Sequence, residues 1–333
     1  MKKLSMSTKA FSNILLCKGL GFQRPTQVSF AITNRCNLKC SYCYGDYSCR
    51  KDKDFTLDQL KSIFFDLKKM GMTQIFLTGG EPLLRKDIDK IVDYLKELNI
   101  DIGIVTNAIL APLHLKTLKK VDRVLVSLDG NKKKNDLNRG EGTHNKILKS
   151  LELMHKEGIK FSLKIVFNKN SYDQLNYILK LAEKYKTDVE TIIPYENFGD
   201  KSLYLTETQK KKLLTKIMKY VKEGKRIKFS HVTHKMSTDV FLKHNKSIIN
   251  EDNKKYPSCV AGKLYLFIDA NGDVYPCNQL IGSFKPYNIH DDGLKSAIKH
   301  TLTRKCKICC IPFLNEKRFL NSLQPEVVLS KLK

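Results

Sequence analysis

The sequence predicts an α/β fold built on a parallel sheet, and three observations carry that prediction. Short apolar strands alternate with amphipathic helices from residue 27 to residue 194. Units of that length join parallel strands through right-handed crossovers. The cysteine and glycine motifs of this region fall just past the C-terminal ends of predicted strands, where parallel barrels gather their chemistry.

The elements follow in order. A helical lead-in over residues 1–24 ends at Pro25. Strands are predicted at 27–34, 74–79, 101–106, 123–129, 160–167 and 188–194, with helices at 57–70, 86–98, 112–120, 143–157 and 173–186. Thr56 and Gln59 open the first helix as a capping box and Gly71 stops it. The repeating portion therefore occupies residues 25–200. A helical linker is expected at 201–258, with a helix at 206–223 that again starts on Thr-x-x-Gln. Its polar second half carries His231, His234 and His244, which at that spacing read as surface residues. Residues 263–268 and 274–276 flank Asn271-Gly272, a hairpin signal. A short helix near 292–301 leads to the last cysteines, closing a small segment at 259–315, and 316–333 read as a tail.

Composition bounds the class. The 333 residues are 41% hydrophobic and 28% charged, as in a water-soluble globular chain of one or two domains. No apolar run approaches the roughly 20 residues of a membrane span, and Ile14-Leu15-Leu16-Cys17 is too short for a signal-peptide core. A cytoplasmic protein is expected. The net charge of +26 includes the runs Lys132-Lys133-Lys134 and Lys210-Lys211-Lys212. These read as solvated lysine surface or as a nucleic-acid footprint, although no recognised RNA module accompanies them. Ten cysteines without an export signal point to metal ligation rather than disulfides.

Cys36, Cys40 and Cys43 fall within eight residues on a loop leaving the first strand. Clustered thiolates suit zinc or an iron–sulfur cluster. An odd set of three leaves one iron of a [4Fe-4S] cluster open to a small molecule. Gly79-Gly80-Glu81-Pro82 ends the second strand, and glycines there let backbone approach a neighbour closely. The C-x3-C-x2-C spacing, Tyr42 before the third cysteine, the GGEP sequence, and Val126-Ser127-Leu128-Asp129-Gly130 with Arg139 beyond resemble the radical S-adenosylmethionine (SAM) superfamily. The resemblance covers most of residues 25–315 and implies a partial (β/α)6 TIM-type barrel. It implies that Cys36, Cys40 and Cys43 hold a [4Fe-4S] cluster whose open iron chelates SAM. It further implies that one electron cleaves SAM to a 5′-deoxyadenosyl radical, which abstracts a substrate hydrogen atom. Gly79, Gly80 and Glu81 match the SAM motif, Tyr42 is the candidate to pack on adenine, and Ser127 and Arg139 match positions at the ribose and carboxylate of SAM. Asn107 is a further ribose candidate. Asp129 either caps a turn or binds.

Cys259, Cys277, Cys306 and Cys309, with Gly272 between the first two, resemble the twitch domain, the short relative of the SPASM domain. The resemblance implies one auxiliary [4Fe-4S] cluster; a structural zinc site on the same four residues is the alternative. Cys310 could replace Cys309 as ligand or donate a hydrogen atom to a substrate radical. Cys17 and Cys49 are unassigned. The expected activity is that of a radical SAM oxidoreductase, fed electrons by a flavodoxin or ferredoxin. Its substrate is a peptide or a small molecule, with RNA modification as a third reading motivated by charge.

Overall fold

The computed structural model describes residues 23–193, 200–244, 248–251 and 256–329. Almost all of the expected lead-in, with Cys17, lies outside the described residues. Strands and helices then alternate as read from the sequence: β1 (Gln27–Ala31), α1 (Leu57–Lys69), β2 (Gln74–Thr78), α2 (Ile88–Glu97), β3 (Asp101–Thr106) and α3 (Leu115–Lys120). They continue as β4 (Arg123–Ser127), α4 (Lys132–Arg139), α5 (Thr143–Lys156), β5 (Phe161–Val166), α6 (Leu175–Lys184) and β6 (Val189–Ile192). Next come α7 (Glu207–Lys222), α8 (His231–His244), β7 (Ile248–Ile249), β8 (Tyr265–Ile268), β9 (Asp273–Tyr275) and β10 (Tyr287–Asn288). The described chain ends with α9 (Ile289–Asp292), α10 (Leu294–His300), β11 (Ile308–Cys309), α11 (Pro312–Asn321) and α12 (Pro325–Leu329).

Strands β1 to β6 pair in parallel in chain order. The two-residue period of a strand sorts their side chains. Val28, Phe30, Ile75, Leu77, Ile102, Ile104, Val124 and Val126 are fully buried under the helices. Ser29, Phe76, Val105, Leu125, Lys164 and Glu190 turn the other way and line an internal cavity of about 310 Å3. That is the partial barrel: helices outside, a lumen inside.

The hairpin forms as its Asn-Gly turn predicts, with β8 antiparallel to β9. Its position is not local. β8 pairs in parallel with β1, matching Gln27 to Tyr265, so one sheet runs β10-β9-β8-β1-β2-β3-β4-β5-β6. Leu266, Ile268, Val274 and Ile298 belong to the main core. The cysteine-bearing segment is therefore an extension of the barrel sheet.

Three expectations need correction. His234 is not a surface residue: it is 3% exposed, and its ring nitrogen lies 2.8 Å from the Lys228 carbonyl oxygen. The polar stretch around it folds as α8, whose buried face is largely Thr233, His234, Ser237 and Thr238, so apolar periodicity could not reveal it. The tail is structured, because α11 crosses residue 315 and buries Glu316, Arg318 and Phe319. In the Lys210-Lys211-Lys212 run, Lys210 is 8% exposed and turned inward, while its two successors are exposed.

The capping box at α1 is present as read: Thr56 Oγ1 accepts the Gln59 N–H at 3.2 Å and Gln59 Oε1 accepts the Thr56 N–H at 2.8 Å. Thr56→Ala is expected to lower unfolding free energy by about 1 kcal/mol. Chemical denaturation would check it, and an unchanged midpoint would remove the cap from the account of α1.

Candidate radical SAM site

The cluster loop leaves β1 and is fixed from three directions. From β2, the Gly80 N–H donates to the Thr33 carbonyl at 3.0 Å and the Glu81 N–H to the Arg35 carbonyl at 2.8 Å. A Cβ on Gly80 would sit 2.0 Å from the Arg35 carbonyl oxygen, and one on Gly79, with φ +129°, 2.6 Å from the Thr33 oxygen. Both glycines are thus required for one backbone to lie on another. From α4, the Ser41 N–H donates to the Asn138 carbonyl at 3.0 Å, and the Tyr42 hydroxyl donates to Asp129 at 2.6 Å. From the hairpin, Asp269 accepts the Tyr47 hydroxyl at 2.7 Å and the Arg50 guanidinium at 2.9 Å.

Asp129 organises the second of these contacts. It is fully buried, pairs with Arg139 at 2.9 Å, and also accepts the Val166 N–H at 3.2 Å. The Arg139 guanidinium lies 5.5 Å from the Tyr42 ring centre and also donates to its hydroxyl. Burial by itself would lower the Arg139 pKa, but Asp129 and Tyr42 outweigh it and hold the charge on. So Tyr42 is clamped by the ion pair, and Arg139 is engaged within the chain. The helix α4 that carries Arg139 was not foreseen. It turns Asn135, Asn138 and Arg139 inward, and a polar buried face leaves no apolar stripe to read.

Glu81 is 1% exposed and accepts three donors: Leu83 N–H at 3.1 Å, Thr106 hydroxyl at 2.7 Å and Asn107 N–H at 2.8 Å. Burial pushes its carboxyl up to about 7, against the pull of those donors and of Arg139. Asn107 bridges onward, its amide donating to Asn37 of the cluster loop at 2.8 Å. Ser127 closes β4 on the lumen side, in register with Lys164.

The thiols fit a cluster. Burial pushes Cys36 up to about 12; the Leu38 N–H opposes this, and Glu81, Cys40 and Cys43 add to it, as close neighbours do. A [4Fe-4S] cluster takes one thiolate to each ligated iron, which three neighbouring thiols on one loop can supply. The second set behaves alike: Cys259, Cys277, Cys306 and Cys309 line one small closed cavity. The Arg304 guanidinium reaches the Cys306 sulfur at 3.6 Å and the Cys259 carbonyl at 2.8 Å, a cation that favours thiolates there. Cys310 packs beside this group but lines the barrel lumen and not this cavity. Sequence reasoning missed Arg304, Asp269, Tyr47 and Arg50; only the hairpin turn that holds Asp269 carried a signal.

Residues 30–182 match the Radical SAM superfamily. That stretch is just under half of the chain, and over it the chain is similar to the radical SAM superfamily. It is 35% identical over 167 residues to the Fe-coproporphyrin III synthase of Methanosarcina barkeri (strain Fusaro / DSM 804), spanning 48% of this chain and 41% of that protein. It is 26% identical over 291 residues to the mycofactocin maturase MftC of Mycolicibacterium smegmatis (strain ATCC 700084 / mc(2)155), spanning 84% of this chain and 68% of that one. In fold it is similar to Streptococcus suis SuiB bound to precursor peptide SuiA, with a TM-score of 0.66, 20% identity, and coverage of 86% and 67% of the two chains. The chain thus spans between about two-fifths and two-thirds of the length of these relatives. The fold likeness to SuiB covers 86% of this chain and so extends well beyond the stretch 30–182. No helix among the described residues is long and apolar enough to cross a membrane.

Proposed function

We propose that this protein cleaves SAM reductively and uses the resulting radical to oxidise or join a C–H position of a peptide. The observation that carries the reading is the joint between the two motifs. Gly80 and Glu81 lie in backbone register on Thr33 and Arg35, which sets the glycine edge directly beside the three-cysteine loop. When bound, the cluster and SAM supply a 5′-deoxyadenosyl radical able to take a hydrogen atom from an unactivated carbon. The protein's part is to bind and orient. Cys36, Cys40 and Cys43 would hold iron, and Gly79 and Gly80 would offer backbone edges to SAM. Glu81, buried and poised near neutrality, would take the SAM amino group, while Tyr42, Asn107 and Ser127 would shape the adenosine side and Arg139 the carboxylate end. Cys259, Cys277, Cys306 and Cys309 would hold the auxiliary cluster with four protein ligands. A flavodoxin or ferredoxin is the proposed electron source. Peptide chemistry is favoured because MftC is a maturase and the SuiB structure holds a precursor peptide.

Anaerobic reconstitution tests the cofactor assignments. The full chain is expected to bind about eight irons, four per cluster, and to release 5′-deoxyadenosine once reduced by dithionite. Replacing Cys36, Cys40 and Cys43 by Ala should leave about four irons and no 5′-deoxyadenosine. Replacing Cys259 and Cys277 should also leave about four, with 5′-deoxyadenosine still formed. Continued product from the first variant would overturn the assignment, and four irons with one zinc in the parent would make the C-terminal site structural.

A further inference from the structure

The lumen holds a cation that no carboxylate among the described residues pairs with. Lys210 lies in the first turn of α7, is 8% exposed and lines the 310 Å3 cavity. Its amine sits 5.3 Å from the Phe241 ring centre. Among the described residues it has neither an ion-pair nor a hydrogen-bond partner, whereas thirteen other cationic side chains do form ion pairs. The stem is buried while the amine opens on the cavity, free to meet a bound group, at a helix N-terminus that itself disfavours a cation.

The neighbouring carboxylates do not pair with it. Five cations line the cavity, Arg123, Lys164, Lys210, Lys228 and Lys317, of which Arg123 pairs with Asp101 at 2.8 Å; two carboxylates, Glu190 and Glu316, share the lining. Lys164 and Lys228 share Glu190 at 3.8 and 3.4 Å. Glu316 is committed to the Ser230 N–H and hydroxyl and the Thr233 hydroxyl, at 3.1, 2.8 and 2.6 Å. The lumen is therefore built to receive negative charge. It also lies in the right place. Phe76 and Leu125 each sit two residues below a strand end, on the inward face beneath the SAM loops, about 7 Å down at the rise of a strand. Cys310 and Gln279, neighbours in sequence of Cys309 and Cys277, form part of the same wall. A volume of about 310 Å3 is at the small end for ligand pockets, room for a side chain with its backbone and not for a nucleic-acid strand.

We propose that the lumen receives a carboxylate-bearing residue of the substrate, an Asp or Glu side chain or a C-terminal carboxylate, with Lys210 as its ion-pair partner. This rests on the peptide reading above, and the experiment separates the two. Binding to the reconstituted full chain is measured by calorimetry for the end-blocked tripeptides Ala-Glu-Ala and Ala-Gln-Ala, for glutarate and for inorganic phosphate. The acidic tripeptide is expected to bind at least about tenfold more tightly than its neutral twin, a difference of about 1.4 kcal/mol. Lys210→Met should erase that preference and Lys210→Arg should keep it. Equal affinity for the two tripeptides, or a preference that survives Lys210→Met, overturns the proposal while leaving the peptide reading intact. Lys210-dependent binding of glutarate with neither tripeptide bound upholds the anion pocket and removes the peptide reading. Phosphate bound more tightly than either acid overturns the carboxylate assignment.

Discussion

Replacing Arg139 with Ala is expected to cost the SAM-free protein about 3–5 kcal/mol of stability. Asp129 is fully buried and Arg139 is 6% exposed, so the substitution leaves a carboxylate without its cation inside the fold. The loss reaches further than the pair. Asp129 also receives the Tyr42 hydroxyl, and Tyr42 sits between Cys40 and Cys43, so the clamp on the cluster loop weakens with it. Replacing both partners, as Asp129→Leu with Arg139→Met, should cost less than Arg139→Ala, since no charge is then stranded. Denaturant titration of the three variants without SAM measures this. A role confined to the SAM carboxylate makes the opposite forecast, unchanged stability with weakened SAM binding. A loss below about 1 kcal/mol would therefore return Arg139 to that role, the range of an exposed pair.

What the sequence revealed follows from what is local. Cys36, Cys40 and Cys43 were legible because their spacing is covalent, and GGEP because a strand-ending Gly-Gly must meet something closely. The structure adds what it meets: Thr33 and Arg35 of the same chain. The six barrel strands were legible from apolar runs, and the capping box at Thr56 from two residues. The rest was hidden for identifiable reasons. The β1–β8 pairing joins residues more than 230 positions apart, and no local pattern encodes a partner at that distance. Helices α4 and α8 bury Asn138, Arg139, Thr233 and His234, so their inward faces look like surface. Lys210 was masked by its own neighbours, since Lys211 and Lys212 make the run read as solvated. In the two helices and at Lys210 the concealed residue is polar and buried, which is where periodicity is blind and chemistry concentrates.

The second large effect is expected at Gly80. Its φ is not in the left-handed region, so Gly80→Ala is free of backbone strain and acts through contact alone. A Cβ there would lie 2.0 Å from the Arg35 carbonyl oxygen and 3.0 Å from the Cys36 nitrogen, both backbone atoms that no rotamer change can move aside. The two strand ends must separate, which strains the hydrogen bonds from Gly80 to Thr33 and from Glu81 to Arg35. Overpacking of this kind costs about 1–3 kcal/mol, and each bond lost adds about 1. Because Arg35 precedes Cys36, the displaced segment is the one that must hold iron. Reconstituted Gly80→Ala is expected to retain about four irons rather than eight, with the set bound through Cys259, Cys277, Cys306 and Cys309 preserved. Gly158→Ala is the control: nothing lies within 4 Å of its added Cβ, and only its φ of +69° is unfavourable. That variant should lose about 1 kcal/mol and no iron. Iron content and unfolding midpoint, read on the same samples, decide between contact and general destabilisation. Full iron in Gly80→Ala would show that the joint between the two loops is not what holds the first cluster in place.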